Sequence, residues 1–357
     1  MNTGKNRPAF TLVELMIVIV IISILAGLTT IGTRIAIHKS KDATVSLTLE
    51  QLAMAVEKYK NDIGEYPPDF TDLNAVTRHV RKRWPRCDYA DEFVSLANQQ
   101  IMEMFGIGED KLDEEGWRVT SWGPASALIF WLGGMPDPNQ MSRDETSKIY
   151  WKPNGFFLSP TDPLGINETS SQREEPRFNF PDDTIIDGEN CRKAYGNIWF
   201  DRLKKQEVVF ETITYNGPVF QPGKKAEAKP VVYFCASAPA ENDLAESVDI
   251  ELGAYQLEMN SLEKYCFFEK TGSATPYAKT FDGKKFTWYE ADRFQLIHPG
   301  YDGYFSGSEK SFYEYPYYPC TQYGNTRDDD CSPTKEADDN IVNFAEGGTL
   351  ESLYPKQ

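Results

Sequence analysis

A single carboxylate stands at the mouth of the most apolar stretch in the chain. Glu14 precedes Leu15, Met16 and an aliphatic run, and no further charge occurs until Arg34, so residues 15–33 give 19 uncharged positions. A carboxylate drawn from there toward the centre of a membrane costs roughly 2.5 to 3.5 kcal/mol. It calls for a cationic partner, and the chemistry on offer is an ion pair in a low-dielectric setting, where attraction is stronger than in water. Catalytic chemistry is scarce by comparison. The histidines are His38, His79 and His298, and no Gly-x-Ser-x-Gly elbow, His-Glu-x-x-His pair, phosphate-binding loop or dinucleotide fingerprint occurs. With 54 acidic residues, close carboxylate pairs arise by number alone, so a glycosidase-type couple has no specific support. The chain reads as a non-enzyme.

The element that must carry Glu14 is a helix. Residues 15–33 at ~1.5 Å per residue make ~28 Å, enough to span a bilayer core. Beyond them Val45, Leu49, Leu52, Val56, Tyr59 and Ile63 recur at steps of four and three, which is one helical face. Glu50, Gln51, Glu57, Lys58 and Lys60 take the opposite face, and Gly64 followed by Pro67 and Pro68 ends the element. The expectation is one helix with two unlike halves: residues 10–33 apolar and transmembrane, residues 34–64 amphipathic and packed on a sheet.

An ordinary secretory signal peptide has a shorter apolar core and no acid at its start. A plain uncleaved anchor fits the length, with Lys5 and Arg7 held on the cytoplasmic side. A third reading rests on particular residues. Lys5, Arg7, Pro8 and Ala9, then Phe10-Thr11-Leu12-Val13-Glu14-Leu15-Met16 and the aliphatic run, resembles the N-terminal signal of type IV pilins and type II secretion pseudopilins over residues 5 to about 35. The resemblance implies a prepilin peptidase that cuts between Ala9 and Phe10 and methylates the new amine of Phe10. Ala9 stands where the family usually has Gly, and a small residue still fits a tight cleavage site. Residues 1–9 then become a leader, and Glu14 becomes the acid of the mature chain. Four residues along a helix, Glu14 cannot easily reach its own terminus, so the amine of an adjacent subunit is its natural partner. Tyr59, Asp62, Gly64, Tyr66 and Pro67 resemble the place where the pseudopilin helix leaves into a loop.

The body is large, acidic and rich in turns. With 357 residues, 22 Pro, 25 Gly and a formal charge of −17, the chain has room for a substantial core, and its charge excludes a general phosphate-backbone binder. Six cysteines, Cys87, Cys191, Cys235, Cys266, Cys320 and Cys331, all follow the apolar run, lack metal-ligand spacing and allow fifteen pairings. Cys320 with Cys331, closing a polar loop, is the one local pairing; several buried thiols are the alternative. Residues 72–83 and 89–105 read as helices. Arg78, Arg81, Lys82 and Arg83 form one basic cluster, read as a solvated face rather than a nucleic-acid or membrane contact. Residues 125–132 are apolar and closed by Gly133, Gly134 and Pro136, and residues 136–190 read as surface loops. β-type runs follow at 207–215, 231–234, 286–289 and 294–297, with Asp282 and Gly283 as a hairpin turn.

The fold class expected is α+β: a long N-terminal helix, an inserted helical and loop-rich region over 65–200, a small antiparallel sheet over 201–300 and a C-terminal loop region over 301–357. That last region is similar to the end of major pseudopilins, through Phe294-Gln295-Leu296-Ile297, Pro299-Gly300-Tyr301-Asp302-Gly303 and Asp338-Asp339-Asn340-Ile341-Val342-Asn343-Phe344. The resemblance implies a Ca²⁺ site with Asp302, Asp338, Asp339 and Asn340 as ligands and Asp328, Asp329 and Asp330 as rivals, oxygen donors of the kind the ion takes. An insertion over 306–335, with an aromatic-rich stretch from Tyr304 to Tyr323, separates the two motif halves. The function implied is a pseudopilin that assembles with itself and other pseudopilins into a periplasmic filament for protein export. Its partners would be the prepilin peptidase, an inner-membrane secretion platform and membrane lipid, with no nucleic acid. Its place would be the inner membrane, single-pass, with the C-terminal domain in the periplasm. A surface type IV pilus subunit serving adhesion or DNA uptake, or a sugar-binding module carried on a filament, are the alternatives.

Overall fold

The computed structural model describes residues 12–105, 123–136, 142–143, 149–150, 152–167, 172–181, 184–186, 193–201, 206–215, 218–222, 229–236, 255–258, 262–263, 266–268, 272–274, 276–281, 286–300, 303, 305, 340–345 and 349. The architecture is α+β, with a long N-terminal helix and small antiparallel sheets. The chain divides into two compact units, Met1–Thr44 and Val45–Gln357.

Helix α1 runs Leu12–Ile63. Its end is where the sequence put it: the N–H of Gly64 donates to Lys60 O at 2.7 Å, and Gly64 takes φ 90°, the left-handed conformation that caps a helix at low cost for glycine. In the second unit the expected stripe is the buried face. Val45, Leu49, Leu52, Val56 and Tyr59 are buried, while Glu50, Gln51 and Lys58 are exposed and Glu57 and Lys60 half-buried. Helix α2 (Leu73–Arg83) is capped by Asp72, whose carboxylate accepts from Asn74 N at 2.9 Å. Helix α3 (Phe93–Phe105) follows, and a buried π-helical turn, Ile129–Gly133, falls within the apolar stretch 125–132 and its closing glycine.

Strands β1 (Ser142–Arg143), β2 (Ile149–Tyr150) and β3 (Ile185–Ile186) are short pairings between loops. A long antiparallel hairpin comes next, β4 (Lys193–Asp201) with β5 (Gln206–Tyr215). β6 (Val219–Phe220) closes a four-stranded sheet in the order β1-β2-β3-β6, and β7 (Val232–Cys235) enters the central sheet. β8 (Gln256–Glu258) pairs β9 (Leu262–Glu263), β10 (Cys266–Phe268) pairs β11 (Gly272–Ala274), and β12 (Ala278–Phe281) pairs β13 (Phe286–Trp288), all antiparallel. The Asp282 and Gly283 turn lies outside the described residues, although Phe281 opposite Phe286 is the register a hairpin there requires. β14 (Phe294–His298) is the middle strand of the central sheet, in the order β15-β14-β7 with β15 (Ile341–Val342). Where one small sheet was expected over 201–300, the strands form several short ones.

Both faces of the central sheet are buried, and side-chain alternation sorts them. Tyr233, Cys235, Phe294, Leu296 and Ile341 join the cluster built on the α1 stripe with Val76, Val80, Phe93 and the π-helical turn. Val232, Phe234, Ile297 and Val342 join a second cluster with Tyr255, Tyr277, Trp288 and Phe305. Gln295, fully buried, secures that second layer: its Oε1 accepts from Tyr277 N at 2.7 Å and its Nε2 donates to Tyr277 O at 2.9 Å and Tyr289 O at 2.8 Å.

Candidate functional site

The N-terminal part of α1 is apolar on every side. Leu12, Val13, Leu15, Met16, Ile17, Val18, Ile19, Val20, Ile21, Ile22, Ile24 and Leu25 are each 44 to 74% exposed. Ser23, the polar residue within the run, turns its hydroxyl inward to Ile19 O at 2.7 Å and so adds little polarity to the surface. Burying side chains of this kind gains roughly 1.5 to 3 kcal/mol each, so this surface is built to be covered. Glu14, exposed, lies in the first turn of α1, where a negative charge meets the positive end of the helix dipole. Ala9 and Phe10, the expected cleavage and methylation residues, lie outside the described residues.

Of the expected crossing segment 10–33, side chains are described from Leu12 to Gly27, ~24 Å of helix against a hydrocarbon core of ~30 Å. Among the described residues no helix is long and apolar enough to cross a membrane.

The helix exit is a second concentration of polar chemistry, and the sequence reading missed most of it. Tyr233 Oη donates to Pro67 O at 2.7 Å, Trp131 Nε1 to Pro68 O at 2.9 Å, and Cys235 N to an Asp69 carboxylate oxygen at 2.9 Å. Beneath that loop His79 Nδ1 meets Glu65 Oε1 at 2.5 Å and His79 Nε2 meets Tyr59 Oη at 2.7 Å. Arg83 Nη1 donates to Tyr59 Oη at 3.0 Å and its Nη2 bonds Glu174, while Arg177 bonds Asp62. Burial pushes the Tyr59 phenol up to about 12 against the pull of Arg83. The hydrogen bond from His79 leads in holding the Glu65 carboxyl down at about 2, and burial pushes the His79 imidazolium below its ordinary range despite Glu65. One signal was present in the sequence: Val76, His79 and Val80 share one face of α2, which marks His79 as a buried position though not its partners.

Two members of the basic cluster, Lys82 and Arg83, are spent on this region, while Arg78 and Arg81 are exposed. Arg81 pairs Asp91 at 2.6 Å, Lys82 pairs Glu65 at 3.0 Å, and Arg83, with its side chain 3% exposed, pairs Glu174.

At the C-terminal end the two motif halves meet despite the insertion. Ile297 pairs Val342 and His298 pairs Ile341 across β14 and β15. Asn340, fully buried, donates through Nδ2 to Tyr277 Oη at 2.7 Å and to Phe305 O at 3.0 Å. Its Oδ1 has no hydrogen-bond partner among the described residues. Asp302, Asp338 and Asp339, the rivals Asp328, Asp329 and Asp330, and the cysteines Cys320 and Cys331 lie outside the described residues. Among the described residues no group of three or more His, Cys, Asp or Glu is placed to hold a metal ion, and Cys87 and Cys235 are thiols.

No curated protein and no solved structure matches the chain. Residues 4–30 match the family model described as the prokaryotic N-terminal methylation motif. The chain therefore carries a type IV pilin or pseudopilin-type N-terminal signal, of the kind a prepilin peptidase processes.

Proposed function

We propose that the chain is a type II secretion pseudopilin: inserted in the inner membrane through residues 15–33, cut before Phe10, methylated there, and assembled into a periplasmic filament that moves proteins outward. The observation that carries this reading is the surface of Leu12 to Leu25, apolar all round and interrupted by one acid, within the stretch that matches the methylation motif. Such a surface suits lipid before assembly and other copies of the same helix afterwards, since packing one apolar helix on another replaces lipid contacts at little loss. Glu14 then answers the Phe10 amine of a neighbouring subunit. Glu14→Ala is expected to leave insertion intact and to cut filament yield about tenfold, the weight of ~1.4 kcal/mol in a partly buried charge pair. Sheared-filament yield from cells measures it. Undiminished filaments would remove the pairing.

A surface type IV pilus subunit shares the N-terminal chemistry. The C-terminal end favours secretion, because the two motif halves resembling a major pseudopilin are neighbours through β14, β15 and Asn340. The buried Asn340 Oδ1, without a hydrogen-bond partner among the described residues, also suits a Ca²⁺ ligand, with Asp302, Asp338 and Asp339 as the carboxylates completing the set.

A further inference from the structure

We infer that the C-terminal end of helix α1 is held by a one-way chain of hydrogen bonds that requires a neutral His79, so that protonating this imidazole opens the latch. The direction of each bond follows from what its partners can do. An ionised Glu65 only accepts, so His79 Nδ1 carries the proton, and His79 Nε2 is left to accept from Tyr59 Oη. Arg83 only donates, so the Tyr59 oxygen accepts from Arg83 Nη1. Every hydrogen has one place.

A proton on Nε2 destroys this order. Nε2 would then donate to the same oxygen that accepts from Arg83, and the Tyr59 hydroxyl would lose its acceptor in a site where Tyr59 is 0% and His79 2% exposed. The groups facing the ring are Tyr59 from α1, Glu65 from the exit loop and Lys82 and Arg83 from α2, with the Trp131 ring against it. Arg177 and Glu174, from residues 172–180, act on Tyr59. A new imidazolium would therefore join a site that already holds Arg83 and Lys82.

The pH window follows from the two shifts. His79 is pushed below its ordinary 6.5 by burial, so its contribution is complete above that value and is lost as pH falls beneath it. Glu65 falls from 4.5 to about 2, so its contribution is lost only below 4.5. An opening between those two ordinary values belongs to histidine. His298, also buried and pushed down to about 3, titrates in the same direction but lies in β14 and is left intact in the variant below.

Hydrogen exchange on the full chain in detergent micelles, with intrinsic rates subtracted, tests this at about pH 7.5 and about pH 5.5. In the natural chain the amides of residues 57–63 are expected to lose up to about tenfold of their protection at the lower pH, the most that one histidine of ordinary pKa 6.5 can supply. In His79→Gln, which keeps a donor and an acceptor without a titrating proton, the loss should be less than about twofold. No loss in the natural chain, or an equal loss in the variant, overturns the latch. Should the variant not fold, ring-nitrogen NMR of the natural chain decides, with three histidines to assign. A bare Nε2 and protonated Nδ1 at about pH 7.5 supports the chain of bonds, and a protonated Nε2 refutes it.

Discussion

Asn340 shows how one side chain can tie down a long excursion of the polypeptide. Its amide joins Tyr277 and Phe305, residues on either side of β14 in sequence, while β15 begins at the next position. If its buried Oδ1 is a Ca²⁺ ligand beside Asp302, Asp338 and Asp339, then chelating calcium from the full chain should lower its melting temperature by several degrees. Re-addition should restore it, because an ion bound only by the native state stabilises by mass action. An unmoved transition on adding chelator would remove the ion from the account. At this scale the sequence was unevenly legible. Glu14 could be singled out because charge is conspicuous in an apolar run, and Asn340 because it lies in a recognisable motif. The Glu65, His79, Tyr59, Arg83 and Glu174 network could not, since its members are brought together by tertiary packing and span residues 59 to 174. The basic cluster was read correctly as a solvated face for Arg78, Arg81 and Lys82, which are exposed, while the buried Arg83 side chain that holds the helix exit departs from it.

The governing element is helix α1, whose two regions face different tests. From Val45 onward the stripe residues pack in the core, so periodicity located the buried face, and Gly64 with Pro67 and Pro68 located the stop. Leu52, fully buried, should on replacement by Ala destabilise the folded chain by ~3 kcal/mol, the cost of lost burial plus a cavity. Denaturant unfolding measures it, and a change below ~1 kcal/mol would mean that the stripe is not the core. The short strands were less legible, because a pairing such as β2 with β3, a single residue pair between two-residue strands, is imposed by the loops they join. Gly134 was likewise more than a stop signal. At φ 80° it lies so close to Gly155 that an added Cβ would fall 2.2 Å from that residue's carbonyl carbon.

For the whole molecule, the account rests on a division of labour along one chain. The first residues carry a methylation motif, the run from Leu12 to Leu25 supplies an exposed apolar surface, and from Val45 onward the helix is part of the core of the acidic α+β body. The order of these parts, and the antiparallel character of the strands, could be read from the sequence because each has a local signature. The sorting of the central sheet into two buried faces could not, since it depends on what Tyr255, Tyr277 and Phe305 bring from elsewhere. The most direct test is the mass of the N-terminal peptide from the protein purified out of its native membrane. A peptide beginning at Phe10 with a methylated amine is the predicted result. A peptide that retains the first nine residues would contradict the account.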